Sequence, residues 1–289
     1  MLALDMGVIN RHSTRVTFRR AMAWSAVWIA LAAAFAVVEL VWHGRAESLQ
    51  FVTAYVIELS LSVDNLFVFL LIFRYFKVPS EYERKILVWG ILGALLMRGL
   101  FIAAGVGLIQ RFAWITYAFG ALLIFSGAKL LRQGGAQVHP EKNLILRIFR
   151  RFVPVTNEYV DGHFFTRRDV WMATPLFVVL LIIETSDILF AVDSIPAVLA
   201  VTLNAFIVYT SNVFAILGLR SLYFALSGML DRFRYLHYGL SVVLILVGFK
   251  MLGSHFVSIP TEWTLGAVLS VLTLSVLASM LKPQSASPN

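Results

Sequence analysis

Eight apolar stretches, each near the length that crosses about 30 Å of hydrocarbon, constrain this 289-residue chain more than any other feature. They run over residues 21–42, 50–73, 86–109, 112–131, 176–199, 205–228, 235–252 and 263–281. Inside lipid a backbone has to satisfy its own polar groups, so stretches of this kind are helices. The expected fold is therefore an all-α polytopic membrane protein, one transmembrane domain over 1–289 with about eight transmembrane helices. Composition agrees: 60% of residues are hydrophobic and 14% charged, against about 25% charged in ordinary soluble domains. A soluble enzyme is excluded.

The net charge of +8 raises nucleic acid as a partner, and its distribution removes that reading. If the spans alternate, eighteen of the 24 Lys and Arg lie in the N-terminus, residues 74–85, the long connection 132–169, residues 229–234 and the C-terminus. The opposite loops hold only Arg45 and Arg111. Such asymmetry records orientation and puts the basic side, with both termini, in the cytoplasm. The connection 132–169 carries Arg147, Arg150, Arg151, Arg167 and Arg168 and no comparable apolar run. It reads as an aqueous loop with one amphipathic helix over 143–152. The partners expected are the lipid bilayer and a small cation, with no nucleic acid. Trp42, Trp114 and Trp263, at span ends, read as interface anchors, and Lys129 and Lys250 as snorkelling side chains.

Charged positions inside the spans recur in order. Glu58-Leu-Ser-Leu-Ser-Val-Asp64-Asn65 matches Asp187-Ile-Leu-Phe-Ala-Val-Asp193-Ser194, with the two acids six apart in both. Leu95-Leu-Met-Arg98-Gly-Leu-Phe101 matches Leu217-Gly-Leu-Arg220-Ser-Leu-Tyr223, and Gly127-Ala-Lys129 matches Gly248-Phe-Lys250. The offsets are 129, 122 and 121 residues. This predicts two three-helix repeats, 50–131 and 176–252, flanked by 21–42 and 263–281. Three is odd, so the repeats have inverted topology, the plan of many secondary transporters with sites near the midplane.

Five acids, Glu58, Asp64, Glu184, Asp187 and Asp193, are read as lying deep in these spans, at an insertion cost of about 2.5–3.5 kcal/mol each. Arg98 and Arg220 are the expected ion-pair partners, which leaves three carboxylates to be protonated or to bind a cation from solution. At about 100° per residue Glu58, Ser62 and Asn65 share one face, while Asp64 lies 240° on from Glu58. The same holds for Asp187 and Asp193, so a single straight helix cannot aim both acids at one point. Pro196 frees the carbonyl of Val192 and predicts a break over 192–196. The chain has no cysteine, and none of its six histidines lies deep in a span. Oxygen donors alone suit Mg²⁺, Ca²⁺ or Mn²⁺. The expected metal site comprises Asp64, Asp193, Glu58, Asp187, Glu184 and Asn65, with Arg98, Arg220, Ser194 and Asn212 pairing with it or supporting it. No catalytic motif is present: there is no Gly-x-Gly-Asp, no His-Glu-x-x-His and no Cys nucleophile.

The runs Glu58-Leu-Ser-Leu-Ser-Val-Asp-Asn-Leu-Phe-Val-Phe and Glu184-Thr-Ser-Asp-Ile-Leu-Phe-Ala-Val-Asp-Ser-Ile-Pro-Ala-Val resemble the TerC family, including its Alx-like members. The likeness continues through Ser211-Asn-Val-Phe-Ala-Ile-Leu-Gly-Leu-Arg-Ser-Leu-Tyr and Tyr238-Gly-Leu to Lys250-Met-Leu. It implies a bacterial inner-membrane protein of the LysE-type transporter superfamily, named for tellurium resistance and associated with Mn²⁺ efflux. Family members usually carry a further hydrophobic helix before the first span, and Met1-Leu-Ala-Leu-Asp-Met-Gly resembles its tail.

The expected function is a secondary exporter of a divalent cation, Mn²⁺ first, exchanged for protons by alternating access, with no permanently bound cofactor. The alternative is a scaffold subunit of a metal or tellurite stress-response complex. The charge asymmetry makes a direct prediction: green fluorescent protein fused after Asn289 fluoresces, and alkaline phosphatase fused there is inactive. The opposite pair of signals would reverse the orientation.

Overall fold

The computed structural model describes residues 18–133, 144–156, 158–167, 170–227, 235–254, 256–257 and 259–281. Eight long helices account for the eight apolar stretches: α1 (Phe18–Trp42), α2 (Arg45–Tyr75), α3 (Ser80–Arg111), α4 (Ile115–Gln133), α6 (Pro175–Leu199), α7 (Ala205–Leu226), α8 (Leu236–Gly253) and α9 (Thr261–Leu281). Between α4 and α6 lie a short helix α5 (Leu144–Phe152) and an antiparallel pair, β1 (Phe165–Arg167) with β2 (Trp171–Ala173). Seven of the long helices are long and apolar enough to cross a membrane, and α7 adds an apolar run over Ala205–Leu219. The protein is an all-α polytopic membrane protein. Met1–Gly7, read above as the tail of a preceding helix, lies outside the described residues.

Burial follows lipid rather than water as the outer solvent. On α1 the buried residues are Ala21, Ser25, Trp28, Ala32, Ala36 and Glu39, a single face at three- and four-residue spacing, while Val27, Ile29, Val37 and Val41 are exposed. A water-soluble fold would bury such aliphatics; hydrocarbon accepts them. Trp42, Trp114 and Trp263 are exposed at helix ends, where an indole can meet the headgroups. Helices α2 and α3 have 31 and 32 residues, about 46 Å at 1.5 Å per residue, and so project beyond the hydrocarbon.

The described residues 144–156 and 158–167 of the loop expected over 132–169 form a folded cap. Helix α5 begins at Leu144, the start of the described part of the helix expected over 143–152, and the β hairpin follows it. Tyr159 Oη donates to the Phe76 carbonyl at 2.9 Å, beyond the end of α2. Lys85 of α3 donates to the Gly162 carbonyl at 2.7 Å and lies 4.7 Å over the Phe164 ring. Phe149, Phe164 and Phe165 pack on Phe177 of α6. Partial burial pushes the Tyr159 phenol up to about 12. The cap thus ties together one end each of α2, α3 and α6, so α2 runs toward it and α6 away from it.

The helices of the two sequence halves interleave. Helix α2 packs mainly on α7, α3 on α6 and α4 on α8, while α2 and α3 scarcely touch. The α4–α8 crossing is the closest. A Cβ added at Gly120 would meet the Gly248 carbonyl at 3.1 Å, and one at Gly127 would meet the Ser241 carbonyl at 2.7 Å. The offset of 121 carries Gly120 to Ser241 and Gly127 to Gly248, so it turns one of these contacts into the other. Ile124 lies against Gly248 and Ile245 against Gly127, again 121 apart. Such reciprocity is the form that a two-fold relation between α4 and α8 produces.

The break predicted over 192–196 is absent: α6 is one continuous helix, with Pro196 inside it and Leu199 its last residue. Proline interrupts a helix by removing one N–H and crowding the carbonyl four residues back. Here that carbonyl belongs to the last two turns, where little helix remains to be displaced. The crossing yields a prediction. Gly127→Leu forces side-chain atoms into the Ser241 backbone and lowers stability by about 1–3 kcal/mol, read as a lower midpoint of thermal unfolding in detergent. Gly107→Ala, where nothing lies within 4 Å, leaves the midpoint unchanged.

Candidate ion site

Glu58 on α2, Arg98 on α3 and Asp187 on α6 meet in the interior. Arg98 is 1% exposed. Its Nε and Nη2 donate to the two carboxylate oxygens of Asp187 at 3.2 and 3.0 Å, a fork-on-fork arrangement. Its Nη1 pairs with Glu58 Oε1. Arginine suits this place better than lysine because a planar guanidinium can serve two carboxylates from opposite edges. With both acids ionised the cluster carries one negative charge in excess.

Along the helix faces that carry these acids lie polar atoms without partners. Ser62 Oγ and Asn65 Nδ2 on α2 and Ser194 Oγ on α6 are buried and make no hydrogen bond among the described residues. Ser62 and Asn65 share the α2 face that carries Glu58, and Ser194 shares the α6 face of Asp187. Ser62 is one turn from Glu58, whereas Asn65 stands about 10 Å from Glu58 toward the cap end and Ser194 about 10 Å from Asp187 away from it. Buried polar groups are ordinarily satisfied, so unsatisfied ones along these faces mark places for water or an ion. A cavity of about 20 Å³, lined by Asp187, Ala94, Ile183 and Ile216 among others, opens from the cluster toward the cap end. That is room for about one water molecule.

The other expected residues are placed differently. Asp64 and Asp193 stand six residues beyond Glu58 and Asp187 along helices that run in opposite directions with respect to the cap. Asp64 is therefore about 9 Å toward the cap end and Asp193 about 9 Å away from it. Both are partly exposed. Asp193 accepts a hydrogen bond from Ser126 Oγ of α4 at 2.6 Å. The 121 offset takes Ser126 to Val247, which has no hydroxyl, and Asp64 makes no hydrogen bond or ion pair among the described residues. Glu184, also partly exposed, lies against Gly93 of α3, where an added Cβ would collide with its carboxylate. Asn212 is buried on α7, one turn from Ile216. The side chain of Arg220 lies outside the described part of the structure.

Among the described residues no three acidic or histidine side chains gather as a ready-made metal cage. Of the six residues expected at the metal site, Glu58 and Asp187 meet at Arg98, while Asp64, Asp193 and Asn65 stand farther along α2 and α6 and Glu184 lies against Gly93 of α3. Sequence reasoning also missed Glu39, an acid in the expected span 21–42, 3% exposed and 2.9 Å from His43 Nδ1. The one-sided spacing of small residues along α1 was the available signal, since Glu39 continues the row Ala32, Ala36. Ser126 carried none; only the α4–α6 packing brings it to Asp193.

The comparisons with known proteins bear on this arrangement. The family model described as the integral membrane protein TerC family matches residues 43–287. This chain belongs to the TerC family. It is 47% identical over 287 residues to an uncharacterized membrane protein of Myxococcus xanthus, STKORF319, covering 99% of this chain and 90% of the relative. It is 44% identical over 292 residues to a proposed membrane-bound redox modulator, Alx, of Escherichia coli K12, covering 96% and 89%. A further uncharacterized membrane protein, of Rickettsia bellii, is 35% identical over 283 residues, covering 98% and 94%. No solved structure matches. The whole α2–α9 arrangement, including the charged cluster, thus lies within the family's matched region.

Removing one partner from a buried ion pair costs about 3–5 kcal/mol, because the other charge is stranded. Asp187→Leu is accordingly expected to lower the unfolding midpoint sharply, while Asp187→Leu combined with Arg98→Met recovers most of the loss. A double variant no more stable than the single one would show that the pair is not coupled.

Proposed function

We propose that this protein is a secondary transporter of a divalent cation, most simply a Mn²⁺ exporter. The observation that carries the proposal is a buried cluster in which Arg98 lies between the carboxylates of Glu58 and Asp187, with the unpartnered Ser62 hydroxyl one turn from Glu58. A guanidinium held by two carboxylates is a tethered cation, and a free divalent ion competes for the same oxygens. Departure of Arg98 from one or both acids opens a hard-donor pair of carboxylates, with the Ser62 hydroxyl one turn from Glu58. Asp64 and Asp193, on opposite sides of the cluster, then serve as the carboxylates an ion meets between the cluster and either face. Glu184 and these two aspartates are the candidates for carrying the exchanged proton.

Helices α2 and α3 pack on the other half rather than on each other, so the moving bodies in alternating access combine helices from both halves. The orientation expected from the charge asymmetry makes movement toward the basic-poor side export from the cytoplasm. A role in redox balance, as the name of the Escherichia coli relative suggests for that protein, would be exerted through the ion moved, since thiol chemistry is closed to a cysteine-free chain. Any tellurite phenotype is likewise read as indirect, because an acidic site repels an oxyanion. No resident cofactor and no enzymatic step enter this reading.

The test is flux in proteoliposomes. Asp64→Asn and Asp193→Asn, each folded and inserted, are expected to reduce Mn²⁺ uptake or release to the rate of empty vesicles, with Ca²⁺, Mg²⁺ and Zn²⁺ run in parallel to set the preference. Unimpaired Mn²⁺ flux in both variants would overturn the assignment. Scaffold function would instead leave a stress phenotype intact in the same variants.

A further inference from the structure

One set of contacts lies on the cap side of the cavity next to Asp187. Tyr223 of α7 is 1% exposed, and its Oη donates to Glu83 Oε2 of α3 at 3.0 Å. The Phe73 ring of α2 meets the Tyr223 ring edge-on, with centroids 5.5 Å apart and planes at 82°. Each of these residues stands one helical turn beyond a residue that lines the cavity next to Asp187: Phe73 beyond Phe69, Glu83 beyond Leu87, and Tyr223 beyond Leu219. Helices α2 and α7 run toward the cap and α3 away from it, so all three steps lead the same way, from the cavity toward the cap end. A buried phenol on an otherwise apolar wall, bonded to a carboxylate of another helix, joins α3 to α7 across the mouth of the cavity.

We propose that Tyr223, Glu83 and Phe73 form the gate that closes the cluster from the cap end. Closed, the gate leaves Asp187 facing a cavity with room for about one water and no route to the solution on that side. Opening needs one hydrogen bond broken and one ring withdrawn. Both can follow from a relative movement of α3 and α7, because Glu83 and Tyr223 belong to different helices. The released Glu83 carboxylate then lines the mouth and favours a cation over an anion. The inference rests on the transport reading for what passes, but the closure itself is a property of the fold that can be measured without transport.

The natural absence of cysteine makes site-directed labelling direct. Ala94→Cys places a thiol on the cavity wall, and Tyr75→Cys places one at the exposed end of α2 outside the gate. In oriented vesicles an impermeant maleimide added on the cap side should label Tyr75→Cys quickly and Ala94→Cys slowly. Adding Tyr223→Phe, which keeps the ring and removes the hydrogen bond, should speed labelling of Ala94→Cys by up to about tenfold. Tyr223→Ala should speed it further, and Glu83→Gln, which stays folded if the alanine variant does not, should act as Tyr223→Phe does. Fast labelling of Ala94→Cys in the otherwise unchanged chain would overturn the gate. So would a rate that none of the three substitutions alters while Tyr75→Cys remains fast. Faster labelling in a protein that moves no Mn²⁺ would leave the gate standing and remove the transport reading. Normal flux with labelling unchanged would remove the gate alone.

Discussion

Arg98 is the residue around which the membrane core is organised. A guanidinium buried among helices is tolerable only when its charge and its hydrogen-bond donors are met nearby. Glu58 and Asp187 meet them from two other helices. That requirement draws α2, α3 and α6 to one point although α2 and α3, neighbours in sequence, hardly pack together. The same arrangement gives the cluster its chemical character. The cation held there is tethered, and two carboxylates share it.

Symmetry distributes the remaining acids. Because α2 and α6 run in opposite directions, an identical six-residue spacing moves Asp64 and Asp193 to opposite sides of the cluster instead of bringing them together. Ser126 bonds Asp193, while Val247 stands 121 positions on from Ser126 and Asp64 makes no hydrogen bond among the described residues. The close α4–α8 crossing at Gly120, Gly127, Ser241 and Gly248 leaves no room for side chains and sets the distance between the halves.

The cap and the gate make the two ends of the bundle unlike. At one end the β hairpin, α5 and an aromatic group around Phe177 bind the ends of α2, α3 and α6 together. Just inside that end, Glu83 and Tyr223 link α3 with α7. The cap holds three helices whose ends must stay in register, and the link inside it is a single hydrogen bond between two that need not.

Helix number, approximate boundaries and family were legible in the sequence, because lipid imposes a length and an apolar composition that few other structures share. The acids and Arg98 were legible for the opposite reason: charges so costly in hydrocarbon stand out against it. Their recurrence at fixed offsets also indicated the order of the helices, and helical phase already separated Asp64 from Glu58. Sequence spacing could not tell that Arg98 pairs with both Glu58 and Asp187, that α6 stays unbroken at Pro196, that the basic connection folds into a cap, or that Glu39 is buried. Tyr223 and Glu83 are 140 positions apart and carry no pattern in common. Those outcomes depend on which helix faces come together, and hydrocarbon, which accepts any apolar face equally, leaves that choice to close packing and to the few polar groups that must find one another.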